Sequence, residues 1–221
     1  MDAKREIHCA DFFEWERRSS VLPQSSFVTS LPDISEFNLS LDEWKKWFIS
    51  TAQIILKKTP DDGVAIFFQT DIKKEGRWID KAFLIQLAAN EIGYHQLFHK
   101  IVCRVPPGIA TKGKPAYSHL LCFSKNKVLD PGKSTPDVLT DTGEKTWERG
   151  MGMNVSLSIA KFLKNQIECN TVINPFCGEG SMLASANYYD MNAIGIERSP
   201  KRAEKAQTLS IVNNEFIQVE E

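Results

Sequence analysis

The chain has 221 residues, of which 42% are hydrophobic and 25% are charged. This composition is typical of one globular domain and excludes a disordered or collagen-like chain. Lysine and arginine number 27 against 28 aspartate and glutamate residues, for a net charge of -1, which argues against a surface that is positive everywhere. The five cysteines form no CxxC pair, so we expect neither a disulfide framework nor a structural metal site. Because the N-terminus has no signal-peptide pattern and no long apolar run follows, the sequence predicts a soluble, cytoplasmic protein without a membrane partner.

Short apolar segments alternate with amphipathic ones along the chain, which favours an α/β fold with a mainly parallel sheet. A capping box at Ser40 precedes a helix with Trp44 and Trp47 on its buried face, and Ser199-Pro200 starts the last helix. Residues 106–150 are predicted to be loops around one strand. The seven predicted strands are Ile7–Ala10, Ser26–Ser30, Gly63–Gln69, Gln96–Arg104, His119–Ser124, Thr171–Ile173 and Ala193–Ile196, and the later helices are Trp78–Ile92 (with Trp78 and Phe83 buried), Val155–Gln166 and Lys201–Ile211.

A glycine loop follows the predicted strand Thr171–Ile173, with the sequence NPFCGEGS at positions 174–181. Glycine lets a ligand approach the backbone closely, and the helix after the loop presents free N–H groups. The next strand ends in Glu197, and a carboxylate there is the usual partner of the ribose hydroxyls of an adenosine. The spacing does not fit the GxGxxG fingerprint, and no GK[ST] of a P-loop is present. The glycine pair alone would fit an ordinary turn, but strand, loop, helix and acid in this order predict a nucleoside site.

This loop resembles the DPFxGxGT motif of Rossmann-type S-adenosylmethionine-dependent methyltransferases, especially the circularly permuted amino-methyltransferases of DNA. Asn174 replaces the usual aspartate and Ser181 the usual threonine. The resemblance implies a circularly permuted, Rossmann-like sheet of seven mostly parallel strands with helices on both faces. Residues 1–104 would form the adenine-binding and catalytic half, 105–150 a basic substrate-recognition segment, and 151–221 the cofactor-loop half. The last helix should then lie close to the first strand.

The resemblance also implies which residues hold S-adenosylmethionine. The segment IHCADF at positions 7–12 looks like the family's strand that holds the adenine, with Asp11 near its amino group. Phe12 and Phe176 either flank the adenine or fill the core, and Asn154 is expected at the methionine end. The full expected cofactor set is Asp11, Phe12, Asn154, Asn174, Pro175, Phe176, Gly178, Gly180, Ser181 and Glu197.

The segment SLPD at positions 30–33 stands where the family carries its catalytic (D/N/S)PP(Y/F) motif. The resemblance assigns Ser30, Pro32 and Asp33 to the catalytic site. Asp33 replaces the aromatic residue that stacks on a flipped base, so it either acts on the substrate or forms a turn after Pro32. Methyl transfer depends mostly on positioning, and a missing base is therefore no argument against activity. We expect Cys177 to be a structural loop residue rather than a methyl acceptor.

Between Lys100 and Lys133 seven basic residues stand against one acid, a local net charge of +6, which leaves -7 for the rest of the chain. In permuted DNA methyltransferases the substrate-recognition segment occupies this part of the chain. We interpret the segment as a surface that contacts phosphates, with a solvated basic loop as the alternative. His99 and His119, near the ends of strands, remain open between packing and catalysis. The expected substrate-binding residues are Lys100, Arg104, Lys112, Lys114, Tyr117 and His119.

The sequence thus favours a methyltransferase that acts on a nucleic acid. We expect RNA ahead of DNA, because the recognition segment is short and the stacking aromatic is missing. Two alternatives stay open: a methyltransferase for a small molecule or a protein side chain, and a degenerate methyltransferase fold that serves as a binding module.

Overall fold

The computed structural model describes residues 3–219, in which strands and helices alternate. The strands are β1 (Arg5–His8), β2 (Ser25–Thr29), β3 (Ala65–Gln69), β4 (Ile72–Lys74), β5 (Arg77–Ile79), β6 (His95–Cys103), β7 (Tyr117–Ser124), β8 (Val138–Leu139), β9 (Thr171–Asn174), β10 (Asn192–Ile196), β11 (Leu209–Val212) and β12 (Glu215–Gln218). The helices are α1 (Phe12–Arg18), α2 (Leu41–Lys58), α3 (Lys81–Glu91), α4 (Met153–Phe162), α5 (Ser181–Tyr188) and α6 (Pro200–Thr208).

One sheet of eight strands joins these elements in the order β1-β10-β9-β2-β3-β7-β6-β8. The first five are mutually parallel, β7 is antiparallel to β3 and β6, and β8 pairs parallel with β6. The predicted α/β class with a mostly parallel sheet is therefore confirmed. The sheet has eight strands instead of seven because the short strand β8 from the loop-rich segment adds to the edge.

Each face of the sheet carries its own hydrophobic core, and successive strand residues divide between them. Val172 of β9 packs with α4 and α5 on one face, whereas its neighbour Ile173 faces the cluster built on α1, α2 and α3. Trp44 of α2 is fully buried in that second cluster, as predicted. The helices thus cover both faces and leave the carboxyl ends of the parallel strands open at one edge.

Several element boundaries differ from the sequence prediction for identifiable reasons. Helix α3 begins at Lys81, not at Trp78, because Arg77–Ile79 pairs with Ile72–Lys74 in a hairpin. Trp78 and Phe83, both predicted to be buried, are 46% and 58% exposed. Helix α1 was not predicted. Its N-cap is Asp11, whose side chain accepts from the Phe13 N–H.

The last helix is shorter than predicted, since it ends at Thr208 and the chain continues in the β11–β12 hairpin. It lies beside the first strand, as expected: the Arg5 guanidinium donates to the carbonyl oxygen of Ala206 at 2.9 Å. Among the described residues, no helix is both long enough and apolar enough to cross a membrane.

Candidate active site at the carboxyl edge of the sheet

A cavity of about 720 Å³ opens where β1, β10, β9, β2 and β3 end. Residues from the carboxyl ends of all five strands line it, which is where ligands bind in open α/β sheets. Of the residues expected at a site, the cavity wall contains Asp11, Phe12, Ser30, Pro32, Asp33, Arg104, Lys114, Pro175, Phe176, Gly178 and Glu197.

The glycine loop connects β9 to α5, and its two glycines have different tasks. Gly178 has φ +57°, and its N–H donates to Glu197 Oε2 at 3.1 Å. Gly180 has φ +89°, and a Cβ there would lie 2.8 Å from the Ala206 Cα. Gly180 is therefore required by the packing of α5 against α6, whereas Gly178 lines the cavity. Of the other expected cofactor residues, Asn174 and Ser181 are buried beside the cavity and do not line it.

Glu197 directly follows β10, and its carboxylate is 7% exposed and accepts three hydrogen bonds. Besides the Gly178 N–H, it accepts from the Ser199 N–H at 2.8 Å and from Arg202 Nη2 at 3.0 Å. The Arg202 guanidinium also lies over the ring of Trp147, 5.3 Å from its centroid. This acid is thus held at the cavity wall by the loop, the helix start and a cation together.

Aromatic rings form one side of the cavity. Trp47 contacts Phe37, with ring centroids 4.4 Å apart, and lies 6.4 Å from both Phe13 and Phe176. Trp47 was predicted to be core and instead lines the cavity, as do Phe13 and Phe37, which the sequence reading missed. Phe12 is 2% exposed and packs against Phe176, so it serves mainly as core.

The SLPD segment follows β2 along the cavity wall. Ser30 Oγ donates to the Phe68 carbonyl at 2.7 Å, and the Pro32 carbonyl accepts from Trp44 Nε1 at 3.4 Å. Asp33 caps a short helical turn at Ile34–Glu36, which is the turn-forming role.

Asp33 also pairs with Lys81 Nζ at 2.8 Å, and that lysine side chain is only 4% exposed. Burial alone would raise the pKa of Asp33, but the Lys81 ammonium and the hydrogen bonds from Lys81 and Ser35 outweigh it. The pKa of Asp33 therefore lies below its ordinary value. A carboxylate held as an anion by two partners is a poor candidate for a free base.

Two histidines form a hydrogen-bonded chain behind the wall, in which His119 is buried and His99 is exposed. His119 Nε2 lies 2.9 Å from Asp71 Oδ2, and His119 Nδ1 lies 2.9 Å from His99 Nε2. Burial and the neighbouring His119 lower the pKa of His99. Tyr117 packs against His119 with centroids 5.2 Å apart. Neither His119 nor Tyr117 lines the cavity, although both were expected to bind substrate.

The basic residues of segment 100–133 are divided between the carboxyl ends and the amino ends of the parallel strands. Arg104 and Lys114 line the cavity, while Lys125 pairs with Asp61 and Lys127 donates to the Ile167 carbonyl near the start of β9. The expectation of a single basic surface over 100–133 is therefore wrong, because β7 reverses the chain direction. Further cations at the cavity come from outside that segment: Lys73, Lys81, Lys145, Arg149, Arg198 and Arg202.

Three further residues that were expected to contact a ligand lie away from the cavity. Lys100 is 6% exposed, and its ammonium is satisfied by the carbonyls of Thr135 and Pro136 and by Asp137 Oδ1. It ties β8 to the sheet and cannot contact a phosphate. Asn154 bonds Asp141 at 3.1 Å, outside the cavity wall. Lys112 is exposed and also outside the wall.

Cys177 lies in the glycine loop and is 7% exposed. Burial and, secondarily, the nearby Glu197 charge raise the pKa of its thiol to about 12. The thiol therefore stays protonated near neutral pH, as expected for a structural loop residue.

The fold is shared with three solved proteins. TTHA0409 of Thermus thermophilus, a candidate DNA modification methylase complexed with S-adenosyl-L-methionine, matches with a TM-score of 0.70 and 18% identity over 91% of both chains. PvuII DNA methyltransferase, which is cytosine-N4-specific, matches at 0.71 and 16% over 93% of this chain and 86% of its own. M1.HpyAVI in complex with SAM matches at 0.62 and 17% over 92% and 98%. No protein-family model and no curated protein sequence matches this chain.

Proposed function

We propose that this chain is an S-adenosylmethionine-dependent methyltransferase that acts on a nucleic acid, with DNA ahead of RNA. One observation carries the proposal: Asp11, the Gly178 loop and Glu197 stand at the ends of three adjacent parallel strands and face one cavity. Ser30 follows the next strand along the same edge. The fold shared with PvuII DNA methyltransferase, and with two proteins solved in complex with this cofactor, supports the proposal.

The residues at the three strand ends fit the cofactor. The cavity has the size of a small-molecule site, with a buried carboxylate at Glu197 for ribose hydroxyls and the rings of Phe13, Trp47 and Phe176 for an adenine. Asp11 stands at the adenine side. When bound, S-adenosylmethionine supplies an electrophilic methyl group on a sulfonium sulfur. The chain's contribution is then to hold the acceptor in line with that methyl group and to exclude water.

Ser30 is the residue that orients the acceptor. Its hydroxyl proton is directed to the Phe68 carbonyl, which leaves the Ser30 oxygen free to accept a hydrogen bond from an amino group in the cavity. The Trp44 indole fixes the Pro32 carbonyl in the same segment. Asp33 acts on Lys81 rather than on the acceptor.

The chain is circularly permuted in this proposal. The glycine-loop strand β9 comes late in the chain, yet β10 beside it pairs with β1 from the beginning. Arg5 and Ala206 already hold β1 beside α6. If the chain were joined from α6 to β1 and opened before β9, it would start at the glycine-loop strand.

A nucleic acid is the substrate class best suited to the charges at the cavity mouth. Arg104, Lys114, Lys145 and Arg149 line the cavity. Lys114 and Arg149 also pair with Glu148 at 2.7 Å and with Glu36 at 3.4 Å. Lysine and arginine side chains position a phosphate backbone without reading its sequence. The names of the structural neighbours favour DNA, which reverses the order expected from the sequence.

The test supplies S-adenosylmethionine with a tritiated methyl group and measures the tritium transferred to genomic DNA, total RNA and protein, each in its own reaction. Label in DNA, and less in RNA, supports the proposal. Label found only in protein or in small molecules would show that the acceptor is a protein side chain or a small molecule and not a nucleic acid. Cofactor binding with no label in any fraction would favour the binding-module alternative.

A further inference from the structure

A two-stranded hairpin stands beside the cavity, in the connection from β3 to α3. Such connections in α/β folds usually have about 2–6 residues, whereas this one spans residues 70–80 and contains β4 and β5. Residues 73–78 are all exposed, while Ile79 at the base is buried in the core. Because Ile72 and Lys73 line the cavity, the hairpin extends the cavity wall into solvent.

The hairpin carries three cations that have no acidic partner. Lys73, Lys74 and Arg77 form no ion pair among residues 3–219, whereas Lys81 at the same wall is paired. Lys74 stands directly opposite Arg77 in the hairpin register, and like charges in that position destabilise a strand pair. The acid of the hairpin, Glu75, lies at the exposed turn. A negatively charged ligand near the cations would relieve their repulsion.

The Trp78 ring is exposed and yet fixed in position. Trp78 is 46% exposed and stands directly opposite Lys73, so both side chains share one face of the hairpin. Trp78 Nε1 donates to Asp71 Oδ2 at 2.7 Å, and the ring stacks on Tyr117 with centroids 6.4 Å apart. A tryptophan that is held at its polar edge and exposed over much of its ring is suited to an interface.

We propose that the hairpin of residues 72–79 binds a single-stranded segment of the nucleic-acid substrate next to the acceptor. This inference rests on the proposed function and names the surface that holds the strand outside the cavity. Proteins bind single strands through cations that follow the backbone and through aromatic rings on which bases stack. Trp78 supplies the stacking ring. Lys73, Lys74 and Arg77 supply the phosphate contacts, which carry no sequence information.

The contact between Lys73 and Trp78 has a place in this binding mode. Lys73 Nζ lies 4.8 Å from the centroid of the Trp78 ring. An exposed cation–π contact is weaker than the stacking of a base on an aromatic ring. An incoming base therefore displaces the ammonium from the ring, and the ammonium is then free to contact the neighbouring phosphate.

The hairpin also compensates for the divided basic segment. Of the basic residues in segment 100–133, Arg104 and Lys114 line the cavity, and Lys114 is already paired with Glu148. The hairpin adds three cations without acidic partners beside the same cavity. It thereby provides the positive surface that the sequence predicted elsewhere in the chain.

The experiment measures binding of a short labelled thymine oligodeoxynucleotide by fluorescence anisotropy over a range of salt concentrations. Lys73→Gln, Lys74→Gln and Arg77→Gln combined should reduce the salt slope by about 2, since each phosphate contact on a single strand contributes about 0.7. Trp78→Ala should weaken binding by about fivefold or more through the loss of one stacked base, with the salt slope unchanged. On a duplex of the same length Trp78→Ala should have no effect, because paired bases offer no free face.

Matched controls remove the same groups elsewhere. Lys57→Gln, Lys125→Gln and Lys161→Gln combined remove the same charge from exposed residues outside the cavity wall, and Tyr188→Ala removes a ring that is 50% exposed. Both controls should bind the oligonucleotide like wild type. If Trp78→Ala unfolds, Trp78→Phe keeps a stacking ring and should bind more tightly than the combined glutamine variant at high salt.

A kinetic readout separates strand binding from cofactor binding and chemistry. Calorimetry should give the same affinity for S-adenosylmethionine in the hairpin variants as in wild type. In methyl transfer to DNA the hairpin variants should raise KM and leave kcat unchanged, because they remove an interaction made equally in the ground state and the transition state.

Oligonucleotide binding that is unchanged in the hairpin variants, or equally weakened in the controls, would overturn this inference. An equal effect of Trp78→Ala on the duplex would overturn the stacking role. In each case methyl transfer to DNA by the wild type would leave the proposed function standing. A wild-type protein that neither binds the oligonucleotide nor methylates DNA or RNA would overturn the proposed function as well.

Discussion

The cavity has two sides that are built differently. The glycine-loop side consists of Asp11, the loop 174–180 and Glu197, and most of it is made within one strand–loop–helix–strand unit over residues 171–197. The acceptor side consists of the SLPD segment, Gln69, Asp71 and Lys81, and contacts between residues 48 positions apart hold it together, as in Asp33–Lys81 and Asp71–His119. A local unit shows in the sequence, whereas the acceptor side exists only once distant elements have packed.

The largest effect on stability is expected from a substitution in the glycine loop, compared with one in the loop between β6 and β7. Gly180 and Gly113 both have positive φ, but only Gly180 has no room for a Cβ. Gly113→Ala should cost about 1 kcal/mol of unfolding free energy for the strained backbone. Gly180→Ala should cost about 2–4 kcal/mol, because overpacking against Ala206 adds to that strain. Urea unfolding measures both, and equal losses would contradict the packing role of Gly180.

A second comparison sets the two edges of the sheet against each other. Changing Arg104 and Lys114 to glutamine should weaken single-stranded oligonucleotide binding by about tenfold and reduce the salt slope by about 1.4, since each phosphate contact on a single strand contributes about 0.7. Changing Lys125 and Lys127, at the opposite edge, should do neither. Fluorescence anisotropy over a range of salt concentrations tests this. A comparable loss of binding on changing Lys125 and Lys127 would support a single basic surface over residues 100–133.

The structure explains why some features were predictable and others were not. The glycine loop and Glu197 were predicted because a strand, a glycine pair and a strand-terminal acid follow one another in the chain, whereas Asp11 was predicted from the resemblance of residues 7–12; all three reach the cavity wall. Lys100 and Lys114 have the same charge, yet one is buried beside β8 and the other lines the cavity. The difference is one of position, since Lys100 lies within β6 and Lys114 lies in the loop between β6 and β7.

Likewise, the sequence marked Trp47 as an ordinary buried residue. It marked Lys81 as an ordinary helix residue. Their role at the wall depends on Phe37 and Asp33, which only the packing of α2 and α3 brings near. Gln69 Nε2, which finds no hydrogen-bond partner among residues 3–219, carries no sequence signal, because a missing partner is a property of the packed state.

The Asp33–Lys81 pair should make the acceptor side sensitive to acid. Because the folded pKa of Asp33 lies below the ordinary value of 3.8, its stabilisation is present above that value and is lost as the pH falls through the folded pKa. Asp33→Asn should therefore reduce the loss of stability between neutral pH and about pH 3. Thermal unfolding at stepped pH measures it, with the exposed Asp42→Asn as control. An unchanged acid profile would exclude this ion pair as a contributor.

The smallest effect is expected from the loop cysteine. With its pKa raised to about 12, the buried Cys177 thiol should resist iodoacetamide in the native protein while the exposed Cys9 reacts. Mass spectrometry after brief labelling at mildly alkaline pH gives the order of modification. Cys177→Ala should keep methyl transfer within about twofold, since the thiolate needed for nucleophilic chemistry is absent. Labelling of Cys177 as fast as Cys9 would mean that the loop opens.

The central claim is that three neighbouring strand ends hold S-adenosylmethionine, and calorimetric titration tests it most directly. Wild-type protein is expected to bind both S-adenosylmethionine and S-adenosylhomocysteine. Glu197→Gln should bind each at least about tenfold more weakly, because hydrogen bonds to a buried charge are lost. If neither compound binds the wild type, or if Glu197→Gln binds as tightly as wild type, the cofactor assignment of this cavity is wrong.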